Sequence, residues 1–242
     1  MLKKIFCSFA LLTFVLFAQD DPTVGNLTYM KIAAGKTASF EKAVGAHVKK
    51  YHGKDQWATW GGKVVNGKRG GQYIVGSSGH FWKDYADRKS SKVRDDQWAA
   101  IIRNHVVETS GSSFYIKDLE ASYNDKSSPM WKTQIFYTKP GKRGEMLSML
   151  RKSAKVREKT NSDESRGVYY NVSGADQDGL VYIVSRMDDL TDMADPPMGL
   201  GERWVKVHGQ KDWEESLETW WNLFDKTETE VVLRIPSMNT PQ

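Results

Sequence analysis

Apolar positions along residues 27–123 form a strand-like run, a helical stripe of period 3.6, two more strand-like runs, a second helical stripe and a final extended run, and residues 131–235 repeat that order. "LTYMKIAAGK" and "KTQIFYTKPGK" are strand-like runs, each closed by Gly-Lys at Gly35 and Gly141. Helical spacing follows in both: Phe40, Ala43, Val44, His47, Val48 and Tyr51 in the first, Met146, Met149, Leu150, Ser153 and Ala154 in the second. The pairs "GGKVVNG"/"QYIVGSS" and "GVYYNVSG"/"LVYIVSR" predict a hairpin in each half. A second helix carries Trp98, Ile102, His105 and Val106, matched by Trp213, Leu217, Trp220 and Trp221. Extended runs, "SSFYIKDLEASY" and "TEVVLRIPSM", end the halves.

Each half therefore reads β-α-β-β-α-β, the split βαβ order of ferredoxin-like folds, with modules over 27–123 and 130–236 and "NDKSSP" as their joint. Runs such as "VYIV" and "TQIFY" place large side chains on both faces, so the sheet must be covered on both sides. Two helices cover one face only. The second module's sheet would cover the other, giving an α+β fold in which one chain forms an intrachain pseudo-dimer.

The first eighteen residues look like a secretory signal: Lys3 and Lys4, the apolar run "IFCSFALLTFVLF", and Ala18 at a cleavage position. That run is too short to span a bilayer, and no later stretch approaches the length, so no membrane span is expected. Cleavage would remove Cys7, the one cysteine, and with it any thiolate chemistry or disulfide. The composition looks bacterial, so the expected location is secreted or periplasmic. Removing Lys3 and Lys4 also lowers the net charge from +5 to +3, and the remaining basic residues alternate with acids. Nucleic-acid binding, which needs a concentrated basic face, is not expected.

The order of elements, the Phe81-Trp82 opening of the second helical segment and the duplication resemble the dimeric α+β barrel superfamily. It includes antibiotic-biosynthesis-type monooxygenases, EthD-like and NIPSNAP-like proteins and haem-degrading monooxygenases. The resemblance implies a pocket between the helices and sheet of each half. His47 and His105 would face the first of these among apolar neighbours, neutral and fit to act as bases, or to be satisfied core histidines. Ser153 and Trp220 stand in their places in the second half, which puts any site in the first.

In the haem-degrading relatives a Trp, a His and a first-strand Asn contact the haem. Trp82 is here, but "DRKSSKVR" supplies no His and "LTYMKIAA" no Asn, so haem degradation is disfavoured and His80 is expected to be an exposed neighbour of a helix cap. No histidine pair has metal-ligand spacing on one helix face, and phosphate loops, dinucleotide fingerprints and nucleophile elbows are absent; no metal or cofactor is expected. Trp57 and Trp60, in "KDQWATWGG", are candidates to stack on a ligand, with Trp82 and Tyr51 beside them; packing over the barrel end is the alternative.

Three functions fit this pattern. The first is an exported, non-catalytic protein that binds a small apolar or aromatic ligand or serves as an accessory. The second is a cofactor-independent monooxygenase or isomerase with His47 or His105 as base. The third is an envelope protein-interaction module.

Overall fold

The turn closing each leading strand is built alike in the two halves. Lys36 N–H bonds to the Ala33 carbonyl at 3.0 Å and Lys142 N–H to the Lys139 carbonyl at 2.9 Å, around Gly35 (φ +74°) and Gly141 (φ +76°). A positive φ at the third residue of a four-residue turn is a type II feature that favours glycine. Each turn feeds a helix whose first turn contributes a buried side chain, Phe40 or Met146.

The structure is a computed structural model that describes residues 23–53, 57–174 and 179–240; the expected export signal over 1–18 lies outside them. In chain order the described residues form β1 (Val24–Ile32), α1 (Thr37–Tyr51), β2 (Trp60–Asn66), β3 (Tyr73–His80), α2 (Trp82–Asp87), α3 (Lys92–His105), β4 (Val106–Thr109) and β5 (Ser113–Lys117). Then come β6 (Met130–Thr138), α4 (Arg143–Lys159), β7 (Arg166–Ser173), β8 (Leu180–Met187), α5 (Leu200–His208), α6 (Gln210–Trp221) and β9 (Phe224–Arg234). No described helix is long and apolar enough to cross a membrane.

All pairings are antiparallel. β1 lies between β3 and the β4/β5 pair, and β2 borders β3; β6 lies between β8 and β9, and β7 borders β8. The two groups join at both edges, β2 to β9 (Val64 opposite Val232) and β5 to β7 (Tyr115 opposite Asn171). The result is a closed barrel with helices outside. Among the described strands closure leaves the short β4, paired to β1 on one side, at the margin; closing a sheet is the usual remedy for exposed strand edges.

Two expectations shift in detail. The first half's last strand is broken: Ser110 and Gly111 (φ +73°) separate β4 from β5, and Ser110 exchanges bonds with the Tyr29 backbone there, its Oγ accepting from Tyr29 N–H and its own N–H donating to the Tyr29 carbonyl, both at 3.0 Å. Val106, expected on the helix, begins β4. The second helical segment is two helices in each half, α2 with α3 and α5 with α6.

Because both faces of the sheet are covered, the core has two levels. Outside the barrel, Met30, Phe40, Val44, Val48, Tyr73 and Ile101 pack α1 and α3 on the first half, while Phe136, Met146, Leu150, Val168, Val181 and Ile183 pack the second. Inside it, Tyr29, Val64, Ile74, Trp131 and Val232 form a third cluster, and Ile135, Leu180 and Tyr182 a fourth. Strand residues alternate between the levels, as the pleat requires.

Candidate functional site

Beneath α1 and α3 the first half holds a cavity of about 790 Å³ that is open to solvent on one side. Its sheet side is the outward set of β1 and β3, including Asn26, Thr28, Val75 and Ser77; α1 contributes Val44, His47 and Val48, and α3 contributes Arg94, Asp95, Trp98 and Ile102. His47 is placed there by its helical spacing, three residues after the buried Val44 and seven after the buried Phe40 on the same stripe. Its ring lies 5.3 Å from Trp98, 5.0 Å from Tyr51 and 5.4 Å from His52.

Burial dominates the electrostatics of His47. Desolvation, helped by His52 and Arg94, lowers its pKa to about 4, against a smaller opposing effect from the Gln97 side chain and Asp95. The imidazole is neutral at physiological pH. Neither its Nδ1 nor Gln97 Oε1 makes a well-formed hydrogen bond, although both are buried. His52 is also held below its usual range, chiefly by burial, and its Nδ1 sits 2.7 Å from the Trp57 carbonyl. With that nitrogen donating, its Nε2 carries the lone pair.

At the other end of the cavity Trp57 lies flat on His80, ring centres 3.8 Å apart and planes 14° apart, with the Arg88 guanidinium 4.3 Å from the Trp57 ring centre. His80 is buried. The sequence expectation of an exposed neighbour of a helix cap is thus corrected: Trp57 covers its ring, and Tyr85 stands edge-on to both. Burial lowers the His80 pKa too. A polar chain completes this end, Ser77 Oγ donating to Asn26 Oδ1 at 2.5 Å and lying 3.0 Å from Tyr85 Oη, with Asn26 Nδ2 donating to Ser112 Oγ at 3.3 Å.

Asn26 brings a second correction. β1 begins at Val24, three residues before the run read as a strand, so the first strand does carry an asparagine, and it lines the cavity. Gly25 and Asn26 are poor strand formers, which hid them.

The remaining candidates disperse. His105 lies outside the cavity at the end of α3, its Nδ1 2.9 Å from the Ile101 carbonyl of its own helix. Tyr51 packs beside His47, its buried hydroxyl without a hydrogen-bond partner. Trp82 is 46% exposed and touches Tyr85 and Phe114. Trp57 and Trp60 part company: Trp57 faces the outer cavity, while Trp60, the first residue of β2, points into the barrel against Trp131 at 6.0 Å. Sequence reasoning missed His52, Arg88 and Asn26; for His52 the signal was its place just past the helix that carries His47.

The matching space in the second half is filled. Trp220 stands edge-on to Phe136 at 5.2 Å, Phe224 packs on both, and Met146, Leu147 and Leu150 close the gap. Ser153, in place of His47, donates to the Leu150 carbonyl and accepts from Arg157.

Neither a protein-family model nor a curated protein matches this sequence. Solved structures do resemble it. A candidate monooxygenase from Lactobacillus acidophilus NCFM superposes with a TM-score of 0.60 over 92% of this chain and 97% of its own, at 9% identity. One from Fusobacterium nucleatum subsp. nucleatum ATCC 25586 gives 0.59 over 90% and 94%, at 10% identity. An anthrone oxidase-like protein gives 0.58 over 89% and 92%, at 8% identity. At such identities the likeness is one of fold, and what it establishes is that this chain adopts the α+β barrel of the monooxygenase-like proteins.

Proposed function

We propose that the cavity under α1 and α3 binds a small hydroxylated aromatic molecule and that the chain is a monooxygenase-like protein. The observation that carries this is His47: a neutral imidazole with no well-formed hydrogen bond at Nδ1, in a cavity walled by Trp57, Trp98 and Tyr85. An apolar cavity with a few convergent polar groups is the usual form of a small-molecule site. A ligand hydroxyl would donate to His47, and the aromatic walls would hold the ring. Proton transfer is the catalytic extension of that contact. Alone, an imidazole of pKa about 4 is a weak base for a phenol. Arg88 and Arg94 would stabilise a phenolate formed beside it, and that phenolate would favour the imidazolium, which narrows the gap. The names of the solved neighbours favour this enzyme reading over a purely binding role.

In this proposal the halves are tandem ferredoxin-like modules, 27–123 and 130–236, of which the first kept the cavity and the second became scaffold. The export signal over 1–18 belongs to the same reading, and the N-terminal sequence of the purified native protein tests it.

The function itself is tested with 1-naphthol, followed by tryptophan quenching, and with anthrone, followed by oxygen uptake. His47→Ala should weaken naphthol binding about tenfold, the worth of one buried hydrogen bond, and should slow any uptake above the uncatalysed rate. Naphthol binding that is absent, or unchanged in a folded His47→Ala protein, refutes the site. Binding without uptake leaves the ligand site and removes the oxygenase.

A further inference from the structure

A second cavity, of about 950 Å³, lies inside the barrel, on the opposite face of the sheet from the site above. Its wall is aromatic: Tyr29, Trp60, Tyr115, Trp131, Tyr169 and Tyr182 all point inward. One end is sealed. There Glu230, 1% exposed, accepts from Tyr29 Oη at 3.0 Å and from Arg69 Nε at 2.5 Å, and the Arg69 guanidinium lies over the Tyr29 ring at 4.2 Å.

The charge at the open end is unbalanced. Among the described residues Asp125 is the one carboxylate lining the cavity, and it is already committed, 2.6 Å from Arg186 Nε and 2.7 Å from Lys117 Nζ. Burial opposes its charge, but these two cations hold its pKa below the usual range. Among the described residues Arg234 has no carboxylate partner: its Nε donates to the Ser128 carbonyl at 2.8 Å and its Nη1 to Asn239 Oδ1 at 2.7 Å, with no described partner at Nη2. Its guanidinium lies 5.3 Å from the centre of the Trp131 ring. Burial and the neighbouring Arg186 both lower its pKa, a cost that an incoming anion would relieve. Lys126, exposed and without an ion pair, adds a further positive charge at the mouth.

We infer that the barrel interior is a second small-molecule site, for an aromatic carboxylate whose ring enters between Trp60, Trp131 and Tyr115 and whose carboxylate is held by Arg234 at the mouth. The Nη2 of the guanidinium offers a carboxylate a charge-assisted hydrogen bond, and the aromatic wall supplies the apolar contact. Arg88 and Arg94 line the outer site, so the experiment carries one variant for each cavity.

The experiment compares 2-naphthoate with its uncharged isostere 2-naphthamide by isothermal titration at pH 7. Naphthoate should bind one to one, at least about tenfold tighter than the amide, the span expected of a charge-assisted hydrogen bond. Arg234→Gln should remove that preference, and Val184→Trp, which fills the cavity from β8, should abolish binding of both. His47→Ala should leave naphthoate affinity unchanged, so the fate of the outer site does not decide this one. Equal affinities for acid and amide overturn the inference, as does undiminished binding to a Val184→Trp protein with native circular dichroism. Should Val184→Trp fail to fold, the acid–amide pair and Arg234→Gln decide alone: a preference that survives Arg234→Gln overturns it.

Discussion

The seal of the barrel makes a quantitative prediction about stability. Removing the charge of Arg69 with Arg69→Met would leave the Glu230 carboxylate, whose side chain is fully buried, with Tyr29 Oη as its remaining partner. Glu228 also loses Arg69, at 3.7 Å, but keeps Lys226 at 2.5 Å and Lys68 at 3.4 Å, so the loss concentrates on Glu230. Breaking a buried pair from one side costs about 3–5 kcal/mol, against about 0–1 kcal/mol for an exposed one. Arg69 is itself 22% exposed, which places the expected value near the lower figure, about 3 kcal/mol. For a domain of this size that lowers Tm by roughly 6–12 °C. Urea unfolding followed by circular dichroism measures it directly.

A second variant separates this cause from lost packing. Arg69→Met/Glu230→Gln should be more stable than Arg69→Met alone, because the unpaired charge is gone. A loss under about 1 kcal/mol, or a double variant no more stable than Arg69→Met, would refute the account of Arg69 as the counter-charge of a buried carboxylate.

Two further measurements probe other parts of the molecule. Gly25→Ala should cost about 1–3 kcal/mol in urea unfolding, since a Cβ there would lie 2.3 Å from the Tyr115 ring and 2.5 Å from the Ser77 carbonyl oxygen; a neutral effect would mean that Tyr115 moves freely. His47 should make the native protein acid-sensitive: its pKa is lowered from 6.5 to about 4, so the unfolded chain binds more protons between those values. Its contribution to stability is complete above about pH 6.5 and is lost as pH falls toward 4, with a slope of up to about 1.4 kcal/mol per pH unit. A titration of stability on His47→Gln should show the shallower slope, and an unchanged slope would mean that the ring is hydrated in the native state.

How much of this was legible in the sequence depends on the range of each interaction. The succession of strands and helices was readable, because it is written in local periodicity and punctuated by Gly35 and Gly141. The burial of His80 was not: its cover, Trp57, arrives from a separate loop, and Gly79 and the charged start of α2 made the local context look exposed. The beginning of β1 was hidden for a related reason. Gly25 weakens the strand pattern, yet it is glycine because the Tyr115 ring, ninety residues on, occupies the space where a side chain would sit. The inner cavity left only an ambiguous trace, large side chains on both faces of several strands, which a filled core would have produced equally. Whether eight strands close to a radius that their side chains fill is set by register and tilt, which no local window contains.

The two cavities are opposite faces of one sheet, and this governs what can couple them. Along β1, Leu27 and Tyr29 line the barrel while Asn26, Thr28 and Met30 line the outer cavity; β3 divides in the same way between Ile74 and the Val75 and Ser77 positions. Ser77 is where the faces meet: its carbonyl accepts from Tyr115 Oη inside the barrel at 2.8 Å, while its hydroxyl contacts Asn26 and Tyr85 outside. A ligand on either side can influence the other through the backbone at such points, since a packed strand cannot rotate one face without exposing the other, and through residues 57–60, where Thr59 lines both cavities. The second half's outer space holds Trp220 and Phe224 in place of a cavity. Its strands β6 to β8 nevertheless supply Trp131, Thr133, Tyr169, Tyr182, Val184 and Arg186 to the inner one. A half whose own pocket is filled thus still builds much of the wall of the shared cavity, so its sequence is constrained by the barrel interior even where its helices carry no chemistry.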